Sequence, residues 1–179
     1  FFAGGYTAGQ AVVLTFLPVY LREDAGVSSV VVGLYLSLAN VGGILSQPLM
    51  GYASDRLGRK AVLAPSLTIL ALSILGLYLA PVGWVIALVV LIMGAFAFPL
   101  MSIHLAAVMD LTEGGIQATA VSLVFGSAVV VSGITPALAG ALADAFEVKA
   151  TFLLAGGIVL ATALTATITR WQAVSADGP

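Results

Sequence analysis

The stretch Gly51-Tyr52-Ala53-Ser54-Asp55-Arg56-Leu57-Gly58-Arg59-Lys60 carries the densest charge in the chain. Its one Asp, two Arg and one Lys are four of the fourteen acidic and basic side chains, since the chain has six Lys and Arg and eight Asp and Glu. Long apolar runs end and begin within a residue or two of it. This arrangement predicts a tight polar loop that joins two membrane-spanning helices.

The overall composition indicates a lipid environment. Hydrophobic residues make up 61% of the 179 residues and charged residues only 8%, and the mean hydropathy is +1.16. A soluble globule of this size would need far more polar surface. Runs of about 20 apolar residues span a hydrocarbon core of about 30 Å at about 1.5 Å per helical residue. Six runs occur, at 2–21, 28–53, 61–80, 83–109, 116–143 and 150–170, and predict an all-α integral membrane protein with six transmembrane helices.

Several classes of function have little support in the sequence. A net charge of −2 argues against a nucleic-acid surface, and the absence of Cys excludes disulfides and Cys-based metal sites. The single histidine, His104, supplies neither a zinc-protease motif nor a Ser-His pair, and no Gly-x-x-x-x-Gly-Lys-[Ser/Thr] loop for ATP occurs. We therefore expect no enzyme activity, no metal and no cofactor. The chain begins at Phe1 inside an apolar run and without Met, so we expect a piece of a longer protein.

A repeat relates the two parts of the sequence. The segment Pro48-Leu49-Met50-Gly51-Tyr52-Ala53-Ser54-Asp55, then Lys60-Ala61, is echoed by Pro136-Ala137-Leu138-Ala139-Gly140-Ala141-Leu142-Ala143-Asp144, then Lys149-Ala150. Gly, Asp, Lys and Ala recur at a constant offset of 89 residues (51 to 140), with the Pro displaced by one. Runs one to three then correspond to runs four to six, at about 1–80 and 83–171. Because three spans is an odd number, the second copy must lie upside down; the alternative is chance similarity in an apolar sequence.

The pattern Gly-x-x-x-Asp-Arg-x-Gly-Arg-Lys at 51–60 resembles the signature loop of the major facilitator superfamily of secondary transporters. In that family the loop joins the second and third helices of a six-helix half, and each half is an inverted three-plus-three repeat. The resemblance implies that residues 1–179 form a single six-helix domain, half of a twelve-helix transporter. Leu142-Ala143-Asp144 and Phe152-Leu153-Leu154-Ala155 resemble the C-terminal half more than the N-terminal half.

The same resemblance implies a gating role for the charged stretch. In the family such loops latch the outward-open state and yield when the transporter reopens inward, and a small residue at Gly51 permits close approach of another helix. The residues assigned to gating are Gly51, Asp55, Arg56, Gly58, Arg59 and Lys60. The alternative is a basic loop that only fixes orientation. A weaker resemblance, to the glycine-proline motif of antiporters on the fifth helix, leaves Gly133, Pro136 and Gly140 as packing and kink residues.

The family's substrate cavity is lined by the first and fourth helices of each half and flanked by the second and fifth. The polar candidates here are Tyr6, Gln10, Asn40, Gln47, Ser102 and His104. Buried amides and an imidazole are costly in hydrocarbon unless they meet partners or water, so we expect them to face the cavity. The Asn and Gln side chains could equally form interhelical hydrogen bonds. His104 titrates near neutral pH and could relay a proton or bind substrate, or lie shallow near the interface.

Two functions follow as hypotheses. The first is a secondary active transporter that moves a small organic solute or drug by alternating access and is coupled to protons. The second is a six-span homodimeric half-transporter, or a membrane assembly subunit without transport of its own. The expected partners are a small-molecule substrate, a proton, the lipid bilayer and the missing six-helix half, and no nucleic acid is expected.

The distribution of basic residues predicts an orientation. One side of the membrane holds Arg56, Arg59, Lys60 and Arg170, whereas the other holds only Arg22 and Lys149. The positive-inside rule places the charged stretch and the C-terminus in the cytoplasm. We expect a multi-pass protein of the plasma membrane.

Overall fold

The structure, a computed structural model, describes residues 2–110, 112 and 115–169. Six α-helices account for most of these residues, and no strand occurs among them. Helix α1 spans Phe2–Val19, α2 Ser29–Leu57, α3 Arg59–Leu79, α4 Trp84–Asp110, α5 Gln117–Ala145 and α6 Ala150–Ile168. All six are long and apolar enough to cross a membrane. The predicted all-α membrane fold with six transmembrane helices is confirmed. The end of the sixth predicted run, at Arg170, lies outside the described residues.

The predicted polar loop is shorter than expected, because the two helices it joins continue into it. Helix α2 extends through Leu57 and α3 begins at Arg59, so Gly58 is the entire connection. Gly58 has a φ of +92°, which glycine adopts without a Cβ clash, and its N–H donates to the carbonyl oxygen of Ser54 at 3.1 Å. Charged side chains at the end of a membrane helix reach water, so the helix need not stop before them. The charged stretch is thus two helix ends and a one-residue turn.

The packing of the helices is symmetric between the first three and the last three. Helix α2 packs mainly on α4, and correspondingly α5 packs mainly on α1. Helix α3 packs on α4, and correspondingly α6 packs on α1. The remaining large contact is between α3 and α6. Exchanging α1–α3 with α4–α6 reproduces this set of pairs. Because α4 follows α1 by three helices, an odd number, the two run in opposite directions. The pairing is therefore that of an inverted repeat, as the sequence predicted.

Glycines set the closest helix crossings. A Cβ on Gly94 of α4 would overlap the backbone of Ala39 on α2, and a Cβ on Gly42 would meet the backbone nitrogen of Ala95 at 3.0 Å. The same crossing is joined by a hydrogen bond of 2.6 Å from the Ser46 hydroxyl to the Ala95 carbonyl oxygen. Such backbone-to-backbone approach is how helices associate where lipid removes the hydrophobic driving force. The α2–α4 pair is consequently held in one rotation and register.

Two helices leave much of their surface uncovered by the rest of the chain. In the most apolar window of each helix, 28% of α2 and 11% of α5 is buried, against 44 to 50% for the other four. The buried core lies between α1, α3, α4 and α6, with Leu17, Leu67, Leu100 and Phe152 among its fully buried side chains. Helices α2 and α5 therefore lie at the periphery of this six-helix unit.

Candidate functional site

The charged stretch lies at one end of the helix bundle, here called the loop face. The end of α2, the start of α3, the end of α4 and the end of α6 meet there, since these helices alternate in direction. Because α2 and α4 both end at this face, their last residues lie close together. This geometry positions side chains that are about 50 and 110 residues apart in sequence, as the hydrogen bonds of Arg59 and Lys60 show.

Arg59 joins three helices at the loop face. Its Nε donates to Asp110 Oδ2 at the end of α4 over 2.9 Å, and its Nη1 donates to the Asp55 carboxylate and to Ser54 Oγ, the latter over 3.1 Å. The Arg59 side chain is only 23% exposed, whereas those of Asp55 and Asp110 are 66% and 56% exposed. A planar guanidinium with several donors is suited to hold two carboxylates at once. Arg59 is thus the centre of the charged site.

Lys60 fixes the end of a fourth helix. Its Nζ donates to the carbonyl oxygens of Thr167 and Thr169 over 2.9 and 2.7 Å. The last carbonyls of a helix have no partner within it and carry the negative end of the helix dipole, so a lysine there is doubly favourable. We call the set Ser54, Asp55, Arg59, Lys60 and Asp110, with the two Thr carbonyls, the loop-face cluster.

A cavity opens beside the loop-face cluster. Its volume is about 770 Å³, and it is lined by the cluster itself together with residues of α3 and α4, among them Ala64, Pro65 and Ala107. Small side chains at these positions leave the space open. The cluster therefore borders water-accessible volume at the end of the bundle and is not sealed within it.

The other residues predicted to gate lie outside the loop-face cluster. The Arg56 guanidinium sits over the Tyr52 ring, 4.7 Å from its centroid, and both side chains are exposed. No described residue lies within 4 Å of where a Cβ on Gly51 would be, so no helix of this six-helix unit approaches closely there. Gly58 forms the turn. Asp110 was not among the predicted residues, because it takes part through the end of α4 and not through the 51–60 motif.

The six predicted cavity residues do not form one site. Gln10 of α1 and Asn40 of α2 both line a cavity of about 210 Å³ between α1, α2, α3 and α4. The Asn40 amide nitrogen donates to the Leu36 carbonyl of its own helix over 2.9 Å, which leaves its oxygen available. Gln47 and Ser102 are exposed and line neither this cavity nor the one at the loop face. Two of the six are thus placed together at this central cavity.

Tyr6 and His104 form a separate pair between α1 and α4. Their rings stack with centroids 5.0 Å apart and planes inclined by 19°. The Tyr6 hydroxyl donates to the sulfur of Met101 over 3.0 Å, and His104 Nδ1 lies 2.7 Å from the Leu100 carbonyl oxygen. Both side chains are buried. His104 is therefore enclosed by protein.

The residues predicted for packing on α5 have unequal surroundings. Helix α5 continues without a break through Pro136. A Cβ on Gly140 would lie 3.7 Å from the Phe16 ring of α1, an ordinary contact, whereas no described residue lies within 4 Å of the corresponding point at Gly133. Packing within this unit accordingly uses Gly140 and leaves the face of α5 around Gly133 open.

Six membrane-spanning helices in inverted pairs, with a charged cluster at one end of the bundle, define a multi-pass α-helical membrane protein. Over residues 1–178 the sequence matches the Major Facilitator Superfamily, and the chain belongs to that family of transporters. A relative, the multi-drug resistance efflux pump PmrA homolog of Lactococcus lactis subsp. lactis (strain IL1403), is 30% identical over 174 residues. The match covers 92% of this chain and 41% of the relative, so the chain spans less than half of that protein's length.

Proposed function

We propose that this chain is one six-helix half, the C-terminal one, of a twelve-helix secondary transporter. It moves a small organic solute or drug by alternating access, and movement is coupled to protons. The observation that carries the proposal is the loop-face cluster, which organises the ends of four helices around Arg59 and Lys60. Membership of the Major Facilitator Superfamily and a relative named as a multi-drug efflux pump support it, as does the 41% coverage of that relative.

The loop-face cluster presents charged groups toward a second half. Arg59 holds the turn between α2 and α3 against α4, and Asp55 and Arg56 project outward from the poorly covered helix α2. In alternating access one half rocks against the other, so contacts made by α2 at this face break when the face opens. Exposed ion pairs contribute roughly 0.2–1 kcal/mol each. A latch of such pairs biases the closed state and still opens without a large barrier.

The central cavity supplies the polar part of a substrate site. Its 210 Å³ is too small for most drug-sized molecules, which occupy pockets of roughly 300–1,000 Å³. A second half facing α1, α2 and α4 would enlarge it. Gln10 and Asn40 offer neutral hydrogen-bonding groups among apolar side chains, which suits an uncharged or amphipathic solute.

The orientation follows from the basic residues. Arg56, Arg59 and Lys60 lie at the loop face, and Arg22 and Lys149 at the opposite face. Arg170, which the prediction also counted, lies outside the described residues. We propose that the loop face is cytoplasmic and that the protein resides in the plasma membrane. In a Leu57→Cys variant, we expect a membrane-impermeant maleimide to leave the cysteine unlabelled in intact cells and to label it in permeabilised cells.

The test of the proposed function is efflux of ethidium, a lipophilic cation, by the complete transporter that contains this chain. Arg59→Gln removes the charge that holds both carboxylates, and we expect at least a roughly tenfold loss of initial rate, about 1.4 kcal/mol. The matched control is Arg22→Gln at the opposite face, where the guanidinium donates to the Val27 carbonyl oxygen at 3.3 Å and forms no ion pair with a described residue. That variant should remain within about twofold of wild type.

Two outcomes contradict the proposal. If Arg59→Gln and Arg22→Gln transport equally well, the charged stretch only sets the orientation. If the wild-type protein moves neither ethidium nor any other solute of a broad panel, the assembly-subunit hypothesis replaces the transporter. Loss of the wild-type rate on adding a protonophore is the expected sign of proton coupling.

A further inference from the structure

His104 presents a buried nitrogen lone pair that the fold does not use. Its Nδ1 lies 2.7 Å from the carbonyl oxygen of Leu100, which can only accept, so Nδ1 carries the ring hydrogen. In the neutral ring Nε2 is then an acceptor. Among the described residues Nε2 has no hydrogen-bond partner, although the His104 side chain is only 7% exposed. A buried polar atom without a partner is uncommon in a native structure and calls for an explanation.

Among the described residues, the side chains in contact with His104 carry no charge. From α1 the described neighbour is Tyr6, whose ring stacks on it and whose hydroxyl is directed to Met101. From α5 the neighbours are Val124, Phe125 and Ala128, which do not ionise. On α4 itself the nearest ionisable residue is Asp110, more than one helical turn further on. Among the described residues, no carboxylate is therefore positioned to share a proton with His104.

The space beside His104 limits what can occupy it. The cavity bounded by Ala3, Thr7, Met101 and the three α5 residues has a volume of about 10 Å³. That is at the lower limit of roughly 10–15 Å³ for one water molecule, and it excludes an organic solute. A proton requires no additional volume.

We propose that His104 Nε2 is the binding site of the coupled proton, an inference that rests on the proposed proton-coupled transport. A hydronium ion reaching the site from one face transfers its proton to the Nε2 lone pair, which leaves a water molecule and an imidazolium. At the other face the Nε2–H bond breaks, the proton passes to water, and the neutral imidazole is restored. No other reactant is needed.

Protonation changes the stability of the closed packing around the ring. An imidazolium enclosed here has the Leu100 carbonyl and the π-face of Tyr6 as partners and no counter-ion. A buried charge without a counter-ion is strongly unfavourable, so the charged form favours separation of α1 and α5 from α4 and access of water. The neutral form favours the closed packing that the structure shows. Proton binding and helix packing are thereby linked.

The experiment uses the complete transporter in proteoliposomes, with ethidium as the probe and two readouts. The first is accumulation driven by an imposed pH gradient, and the second is exchange of labelled for unlabelled ethidium without a gradient. His104→Gln keeps a polar side chain but cannot carry a positive charge. We expect it to lose at least about tenfold in driven accumulation and to keep exchange within about threefold.

A matched control and a direct measurement complete the test. Ser73→Ala alters a half-buried polar side chain whose hydroxyl donates to the Ile69 carbonyl oxygen and to no other described residue, and it should preserve both readouts. In wild-type protein with isotope-labelled histidine, the nitrogen NMR signal of His104 is the one that is absent from His104→Gln. It should show the Nδ1–H tautomer when the ring is neutral and should move to the imidazolium position on acidification. The titration itself is read on the wild-type protein, and the variant serves only to assign the signal.

The outcomes separate this inference from the proposed function. Three results would overturn the proton site. His104→Gln could retain driven accumulation, or it could lose accumulation and exchange equally. The third is a His104 signal that stays neutral over the whole pH range of driven transport. A wild-type protein that exchanges ethidium but ignores the pH gradient would overturn proton coupling itself.

Discussion

Arg59, the centre of the loop-face cluster, has no equivalent in the second repeat. The offset of 89 residues between the repeats pairs Asp55 with Asp144 and Lys60 with Lys149. The same offset pairs Arg59 with Val148, which cannot bind a carboxylate. Within the described residues both ion pairs involve Arg59, and none forms at Asp144. The ion pairs of the loop-face cluster therefore have no described equivalent at Asp144, where the repeat has Val148 in the position of Arg59.

Lys60 makes a prediction at the residue scale. Lys60→Met keeps the aliphatic part of the side chain and removes the donor to the Thr167 and Thr169 carbonyls. We expect the last turn of α6 to lose about 1 kcal/mol of local stability, because its carbonyls and dipole lose their cation. Amide hydrogen exchange in that turn, measured on the complete transporter in detergent, should become roughly fivefold faster.

The control for this prediction is the lysine at the opposite face. Lys149 Nζ lies over the Tyr20 ring, 5.0 Å from its centroid. In the described part of the chain, this ammonium group has no hydrogen bond to a helix end. Lys149→Met should leave exchange at the end of α6 unchanged. Equal exchange in Lys60→Met and wild type would show that Lys60 does not hold this helix end.

Most charged residues of the loop-face cluster could be predicted from spacing, but their partners could not. Asp55, Arg59 and Lys60 stand in a short motif, and the structure places all three in the loop-face cluster. Asp110 and the Thr carbonyls enter it from α4 and α6, where nothing in the local sequence marks them. The available signal was topological, since helices α2 and α4 must end at the same face. Among the cavity candidates, burial separated Tyr6 and His104 from the exposed Gln47 and Ser102, and burial depends on the rotation of each helix.

At the scale of elements, hydropathy predicted the helices well and their crossings poorly. The six apolar runs match the six helices to within a few residues, because spanning length is a property of one segment at a time. Which glycines meet depends on how two helices rotate against each other. Gly42 and Gly94 lie at a backbone contact, whereas Gly51 and Gly133, equally prominent in sequence, face open space within this unit.

The α2–α4 crossing makes the prediction at this scale. Gly94→Ala adds a methyl group where it overlaps the backbone of Ala39, and backbone cannot move aside as a side chain can. We expect the helices to separate and the unfolding free energy in detergent to fall by about 1–3 kcal/mol. Thermal unfolding of the purified transporter measures this.

Gly76→Ala on α3 is the matched control for Gly94→Ala. Its added Cβ would meet only Val89, at 4.0 Å, so the change is neutral or stabilising by up to about 1 kcal/mol through helix propensity. A Gly94→Ala protein as stable as Gly76→Ala would mean that the α2–α4 crossing is looser than the structure places it.

At the scale of the whole molecule, the buried surface is distributed unevenly over the six helices. Helices α2 and α5 are the least covered, and they are equivalent in the inverted repeat. The chain spans 41% of its relative, which leaves length for a second unit of similar size. Lipid alone would not require small residues on an exposed helix face. The exposed side of α5 nevertheless carries Gly126, Ser127 and Gly133, which suit contact with another helix.

Two glycines distinguish a protein contact from a lipid contact at these faces. Gly133 on α5 and Gly157 on α6 are both exposed, and no described residue lies within 4 Å of a Cβ added to either. Replacing either Gly by Leu raises helix propensity by the same amount, and a lipid-facing position accommodates the larger side chain. If α5 packs on the second half, Gly133→Leu should lower ethidium efflux by the complete transporter at least about tenfold, while Gly157→Leu stays within about twofold. The rates are compared at equal amounts of protein in the membrane. Equal efflux by the two variants would mean that α5 faces lipid at this depth, and the second half would then have to contact this unit elsewhere.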